Sequence, residues 1–195
     1  MAVTNKPYTL IKFGDPLLRQ ACQRVTFPLS EETDFTIDQC INTLRHVQGF
    51  WEKRSMSIAA PQVGKLLRLF VMCDQRYWYH PKLQYKKFMT VINPEIIEAS
   101  DEKCLAWEAC VSENDRIALV ERPKVVKVRF QSVKGVEHDL LCHGLLSRIF
   151  QHEIDHFEGK IMEDHAKKYQ STKELEDEVS FEKFRKANKD YIIEF

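Results

Sequence analysis

The stretch of this chain richest in chemistry is Gln151-His152-Glu153-Ile154-Asp155-His156, an H-E-x-x-H sequence. On an α-helix four residues advance by about 400° and about 6 Å, so the imidazoles of His152 and His156 project from one face, one turn apart. Two imidazoles so placed can grip one metal ion. Glu153 lies beside their line, where its carboxylate reaches a metal-bound water rather than the metal. Among 195 residues with 7 histidines, chance would produce this pattern in roughly 2% of chains.

A third ligand decides the class. The metzincin continuation fails, because His156 is followed by Gly159 and then by Met162 where a histidine is required. Two candidates stay open. Glu176 stands at the downstream distance used by gluzincin-type metallopeptidases, and Cys110 stands upstream in Trp107-Glu108-Ala109-Cys110-Val111-Ser112. A thiolate with two imidazoles leaves one position for water, the arrangement of a hydrolytic centre.

These residues need elements to hold them. The pattern is helical from Gly144 to about Glu158, with Gly159 where a left-handed C′ residue belongs. Leu145 and Ile149 share the face of the two histidines, so the metal edge prolongs an apolar stripe at the margin of a core. Ile37, Ile41, Leu44, Val47 and Trp51 predict a second helix from about Asp34 to Glu52. Leu66 to Cys73 reads as a buried strand. Thr90 to Ile97 reads as another, interrupted by Asn93-Pro94, and Val125, Val128 and Phe130 mark a third, with a turn at Lys134-Gly135. Residues 166 to 190 read as a charged, solvated helix with acids early and bases late, an order that suits the helix dipole. The expected division is a catalytic domain over 1–165 and a helix and tail over 166–195.

Composition removes other classes. A 44% hydrophobic chain of 195 residues supports one core. Its 6 glycines are too scattered to line a phosphate cradle. The net charge of +0 disfavours nucleic acid and anionic membranes as partners. No apolar run approaches a membrane span, and MAVTNKPYTL has neither the basic nor the apolar part of an export signal; no Arg/Ser-rich transit segment is evident. The 6 cysteines form no C-x-x-C, which points to a reducing compartment.

Taken together, the motifs resemble the peptide deformylases. A stretch like G-x-G-x-A-A-P-Q occurs as Ser55-Met56-Ser57-Ile58-Ala59-Ala60-Pro61-Gln62, one like E-G-C-L-S as Glu108-Ala109-Cys110-Val111-Ser112, and Q-H-E-x-D-H as residues 151–156. Asp15-Pro16-Leu17-Leu18-Arg19 is similar to that family's opening D-P-x-L-R. The resemblance covers about residues 8 to 165.

It implies an α+β fold with antiparallel sheets around a central metal-bearing helix, and a hydrolase of protein biosynthesis that removes formate from N-formyl-methionyl nascent peptides. By the same resemblance Cys110, His152 and His156 hold one divalent ion, usually Fe(II), with Zn, Ni or Co able to occupy such a site. Glu153 takes a proton from water and passes it to the departing amine, while the Gln62 amide and the Val111 N–H face the oxyanion. Met56, Leu145 and Ile149 line the methionine pocket, and the backbone near Ser57 pairs with the peptide. Arg122 is expected to be structural and paired with Glu108, and Gln151 and Asp155 to orient ligands. Formylated initiation places the chain in a mitochondrion if eukaryotic and in the cytoplasm if bacterial.

The departures are specific. Ser55 and Ser57 replace two motif glycines and Ala109 a third, and Ser112-Glu113-Asn114-Asp115 replaces the usual S-V-P-G. Arg76 to Phe88 is extra length, aromatic and basic, read as a surface excursion or a transient ribosome contact. The competing readings are a gluzincin-type peptidase using Glu176 and an inactive deformylase-like binding module.

Overall fold

A computed structural model describes residues 10–46, 57–73, 87–175 and 177–191. Eight strands and three α-helices follow in order: α1 Glu31–His46, β1 Ser57–Ala59, β2 Leu69–Cys73, β3 Phe88–Ala99, β4 Lys103–Cys110, β5 Glu113–Pro123, β6 Val125–Gln131, β7 Glu137–His143, α2 Gly144–Phe157, β8 Ala166–Ser171 and α3 Glu178–Ala187. The strands form an antiparallel five-stranded sheet, β1-β2-β3-β6-β7, and an antiparallel three-stranded sheet, β4-β5-β8. This is the expected α+β fold.

The larger sheet is covered on both faces, and β2 shows why Leu69–Cys73 is apolar at every position. Phe70 and Met72 join one cluster with Ile149, Phe150, Ile154 and Phe157 of α2, while Leu69 and Val71 join another with Ile37, Cys40 and Leu44 of α1. Alternate residues thus point to opposite, equally dry sides. Phe70 and Phe150 meet edge to face at 5.2 Å. The opposite side of α2 reaches the small sheet by hydrogen bonds: Arg148 to the carbonyls of Val120 and Cys104, and Gln151 to that of Pro123, all at 3.0 Å. Helix α2 is therefore held between the two sheets.

Several expectations are corrected. The first helix begins at Glu31 rather than Asp34, because the Ser30 hydroxyl and carbonyl receive the Thr33 and Asp34 N–H groups; Val47 and Trp51 lie outside the described residues. The strand expected over Thr90 to Ile97 is longer, Phe88 to Ala99, and its interruption at Asn93-Pro94 is a bulge between Ile92 and Glu95. Asn93 adopts φ 51 there and bonds Val25 through both ends of its amide. The single helix over 166–190 is replaced by β8, a short 3-10 turn at Thr172–Leu175 and α3, which Asp177 caps. Ala166–Ser171 has no local reason to be extended. Its conformation comes from pairing along β5.

Gly159 behaves as expected. It adopts φ +67, and a Cβ there would lie 2.4 Å from the Arg19 carbonyl oxygen, so both conformation and close packing require glycine.

Candidate metal centre

Helix α2 carries His152, Glu153 and His156 inward, all buried. Cys110 arrives from the other sheet, at the end of β4, where a bulge between Glu108 and Cys110 precedes the turn at Val111-Ser112. That turn is anchored by its carbonyls: Val111 O accepts from Lys12 Nζ at 3.3 Å and Ser112 O from the Phe13 N–H at 3.1 Å. Ligand atoms of Cys110, His152 and His156 all lie within 4.8 Å of one another. Cys110 Sγ and His156 Nε2 are 3.5 Å apart. Tetrahedral coordination with ordinary metal–sulfur and metal–nitrogen bonds requires an edge of about 3.6 Å, so the donors fit a single ion. Glu176 lies outside the described residues, and the three-donor cluster is complete without it.

The two imidazoles are set up differently. His152 Nδ1 bonds Glu108 Oε2 at 3.0 Å, which leaves Nε2 for the cluster. Burial favours its neutral ring, yet hydrogen bonds to Cys110 and Glu108 overcome this and hold its pKa well above the ordinary value. His156 Nδ1 has no such partner among the described residues: burial, then the charges of His152 and Arg122, hold its pKa well below the ordinary value, so its ring stays neutral and able to ligate.

Glu108 gathers four donors. Arg122 approaches through Nε at 2.6 Å and Nη2 at 3.0 Å, Arg148 through Nη1 at 3.0 Å, and His152 completes the set. Burial opposes its ionisation, but Arg122 and His152 outweigh it and hold the carboxyl well below the usual range. The expected Arg122–Glu108 pair is present, and Arg122 also reaches Asp155 at 2.7 Å. Gln151 binds Pro123 and Ser147 instead of orienting a ligand. Arg148 was missed from sequence. Its signal was available, since it lies four residues before His152, a cation amid the apolar stripe of Leu145 and Ile149.

Glu153 is the opposite case. Ser57 Oγ donates to its Oε1 at 2.6 Å, and Oε2 has no partner among the described residues. Burial raises its pKa, with the His152 charge and the Ser57 bond pulling back. Gln62 closes the site. Its Oε1 must face the Ala59 N–H, 2.8 Å away, so its NH2 turns inward to Cys110 Sγ and Ser112 Oγ, each at 3.1 Å.

Of the remaining expected residues, Ile149 is buried and Leu145 partly buried against the same α2 cluster, and Val111 is buried on the α1 side of the large sheet. Met56 and Ser55 lie outside the described residues, as does the 76–88 excursion up to residue 86. Ser57 and Ala109 need no glycine conformation: Asn93 is the positive-φ non-glycine among the described residues.

The chain matches the polypeptide deformylase family profile over residues 7–172. It is 40% identical over 162 residues to a peptide deformylase of Thermotoga neapolitana, covering 82% of this chain and 87% of that one. The crystal structure of the Thermotoga maritima peptide deformylase superposes with a TM-score of 0.68 at 32% identity, covering 84% of this chain and 99% of that one. A Met-Ala-Ser-bound class I type b peptide deformylase of Acinetobacter baumannii gives 0.69 at 28%, covering 83% and 99%.

Proposed function

This chain belongs to the peptide deformylase family, and from that premise we propose that Cys110, His152 and His156 hold its metal ion and that Glu153 carries the proton in its reaction. The activity is metal-dependent removal of the formyl group from the N-terminal formyl-methionine of nascent polypeptides. The observation that carries the assignment of residues is the meeting of one thiol and two imidazoles from different elements within 4.8 Å, beside the buried carboxylate of Glu153.

The bound ion supplies Lewis acidity, lowering the pKa of water to about 7. The protein's groups do the rest. The Glu153 carboxylate, raised by burial, accepts the water's proton and delivers it to the departing amine nitrogen as the C–N bond breaks. The Gln62 amide, locked by the Ala59 N–H, aims neutral N–H donors at the site, and with the Val111 N–H it stabilises the oxyanion. The methionine side chain enters beside Leu145 and Ile149, with Met56, and the peptide backbone runs along β1 at Ser57. The relative bound to Met-Ala-Ser supports a peptide that begins with methionine as the ligand class. Fe(II) is the ion the resemblance implies, and a site of one thiolate and two imidazoles also accepts Zn, Ni or Co. The relatives named above are bacterial, which supports the cytoplasmic rather than the mitochondrial expectation; separately, no described helix is long and apolar enough to cross a membrane.

The test is formate release from a formyl-Met-Ala-Ser peptide by the protein loaded anaerobically with Fe(II). Wild type releases formate, Cys110→Ala loses both metal and activity, and Glu153→Ala keeps the metal while losing activity. A fully metallated wild type that releases none is the binding module. Retention of metal by Cys110→Ala with its loss in Glu176→Gln restores the gluzincin set.

A further inference from the structure

Ser57 stands where the resemblance puts a glycine, and its side chain makes the one hydrogen bond that Glu153 receives among the described residues, 2.6 Å from Oγ to Oε1. Its backbone is fixed by the β1–β2 register, opposite Met72, in a strand conformation that serine adopts without strain. The hydroxyl is therefore presented from a sheet, not from a loop. Glycine at this position has no atom to offer.

We propose that Ser57 is a positioning residue, whose hydroxyl fixes the Glu153 side chain so that its partnerless Oε2 faces the proton to be moved. A glutamate has three side-chain torsions, and one short bond to one oxygen orients the other. The inference rests on Glu153 being the proton carrier. The alternative effect of a serine here, a narrowed cleft floor, weakens substrate binding and leaves the carboxylate indifferent to the hydroxyl.

The experiment compares wild type, Ser57→Ala, Ser57→Gly, Ser57→Thr, Glu153→Ala and the Ser57→Ala/Glu153→Ala double variant. Fe(II)-loaded proteins are assayed anaerobically on formyl-Met-Ala-Ser, and the chelator-treated proteins are unfolded in urea. Loss of a hydrogen bond to a charged group corresponds to about 10-fold or more. Ser57→Ala and Ser57→Gly are thus expected to lower kcat by about that factor with KM unchanged, and Ser57→Thr to keep wild-type kcat. In the metal-free proteins Ser57→Ala lowers the urea midpoint when Glu153 is present and not when it is alanine. The inference is overturned by a wild-type kcat in Ser57→Ala, by a change confined to KM, by a Ser57→Thr that falls with the alanine, or by equal urea shifts in both backgrounds. If Glu153→Ala itself releases formate at the wild-type rate, the proton-carrier reading falls first. If Glu153→Ala is inactive while Ser57→Ala is unaffected, only the positioning role falls.

Discussion

Two glutamates flank His152, and the protein treats them in opposite ways. Glu108 and Glu153 are 5% and 2% exposed, so burial alone pushes both towards the neutral acid. Glu108 is compensated by Arg122, Arg148 and His152 and stays ionised. Among the described residues Glu153 has one neutral donor and an unpartnered oxygen, and its pKa rises. The contrast teaches that burial does not assign a role. A carboxylate saturated with cations is a strut, and one left half-satisfied is available to take a proton.

The widest gap between the two lies in catalysis. Glu153→Gln should lower kcat by about 10³-fold, without loss of bound metal or folding stability, because no charged partner is stranded. Anaerobic formate assays with metal analysis check this; a variant within a few-fold of wild type breaks the contrast. Glu108→Gln should do the reverse. It leaves the buried Arg122 and Arg148 with Asp155 alone to balance them, costing about 3–5 kcal/mol of stability, and it loosens the support of His152, weakening metal binding by about 10–100-fold. Urea unfolding and a competitive chelator titration measure the two effects. Arg148→Met is milder, about 1–3 kcal/mol, since Arg122 still neutralises Glu108, and kcat of the fully loaded protein should hold. Asp155→Asn should matter least. Asp155 takes one N–H of Arg122 and faces His165 Nε2 at 3.2 Å at the edge of the network, and thermal unfolding should register about 1 kcal/mol.

The sequence revealed the two glutamates unequally. Glu153 is legible because its partners in function, His152 and His156, are its neighbours on one helix. Glu108 could be paired with Arg122 in advance, but Arg148, the second cation brought to Glu108 from α2, was missed. Ser57 read only as the replacement of a motif glycine, since a hydroxyl's partner 96 positions away is invisible in the local pattern. Ala166–Ser171 carries no alternation of its own, and its strand character was hidden for the same reason.

What the sequence determined by itself was therefore what depends on local spacing: the helix with two histidines and a glutamate on adjoining faces, the glycine that ends it, the apolar strand at Leu69–Cys73, and the motif order that marks the family. Only the tertiary structure decided how Cys110 reaches those histidines from the three-stranded sheet, which glutamate is saturated with cations, and which has a single serine among the described residues. Helical periodicity is set within a few residues, whereas electrostatic compensation in a dry interior is set by whatever the fold brings within hydrogen-bonding distance.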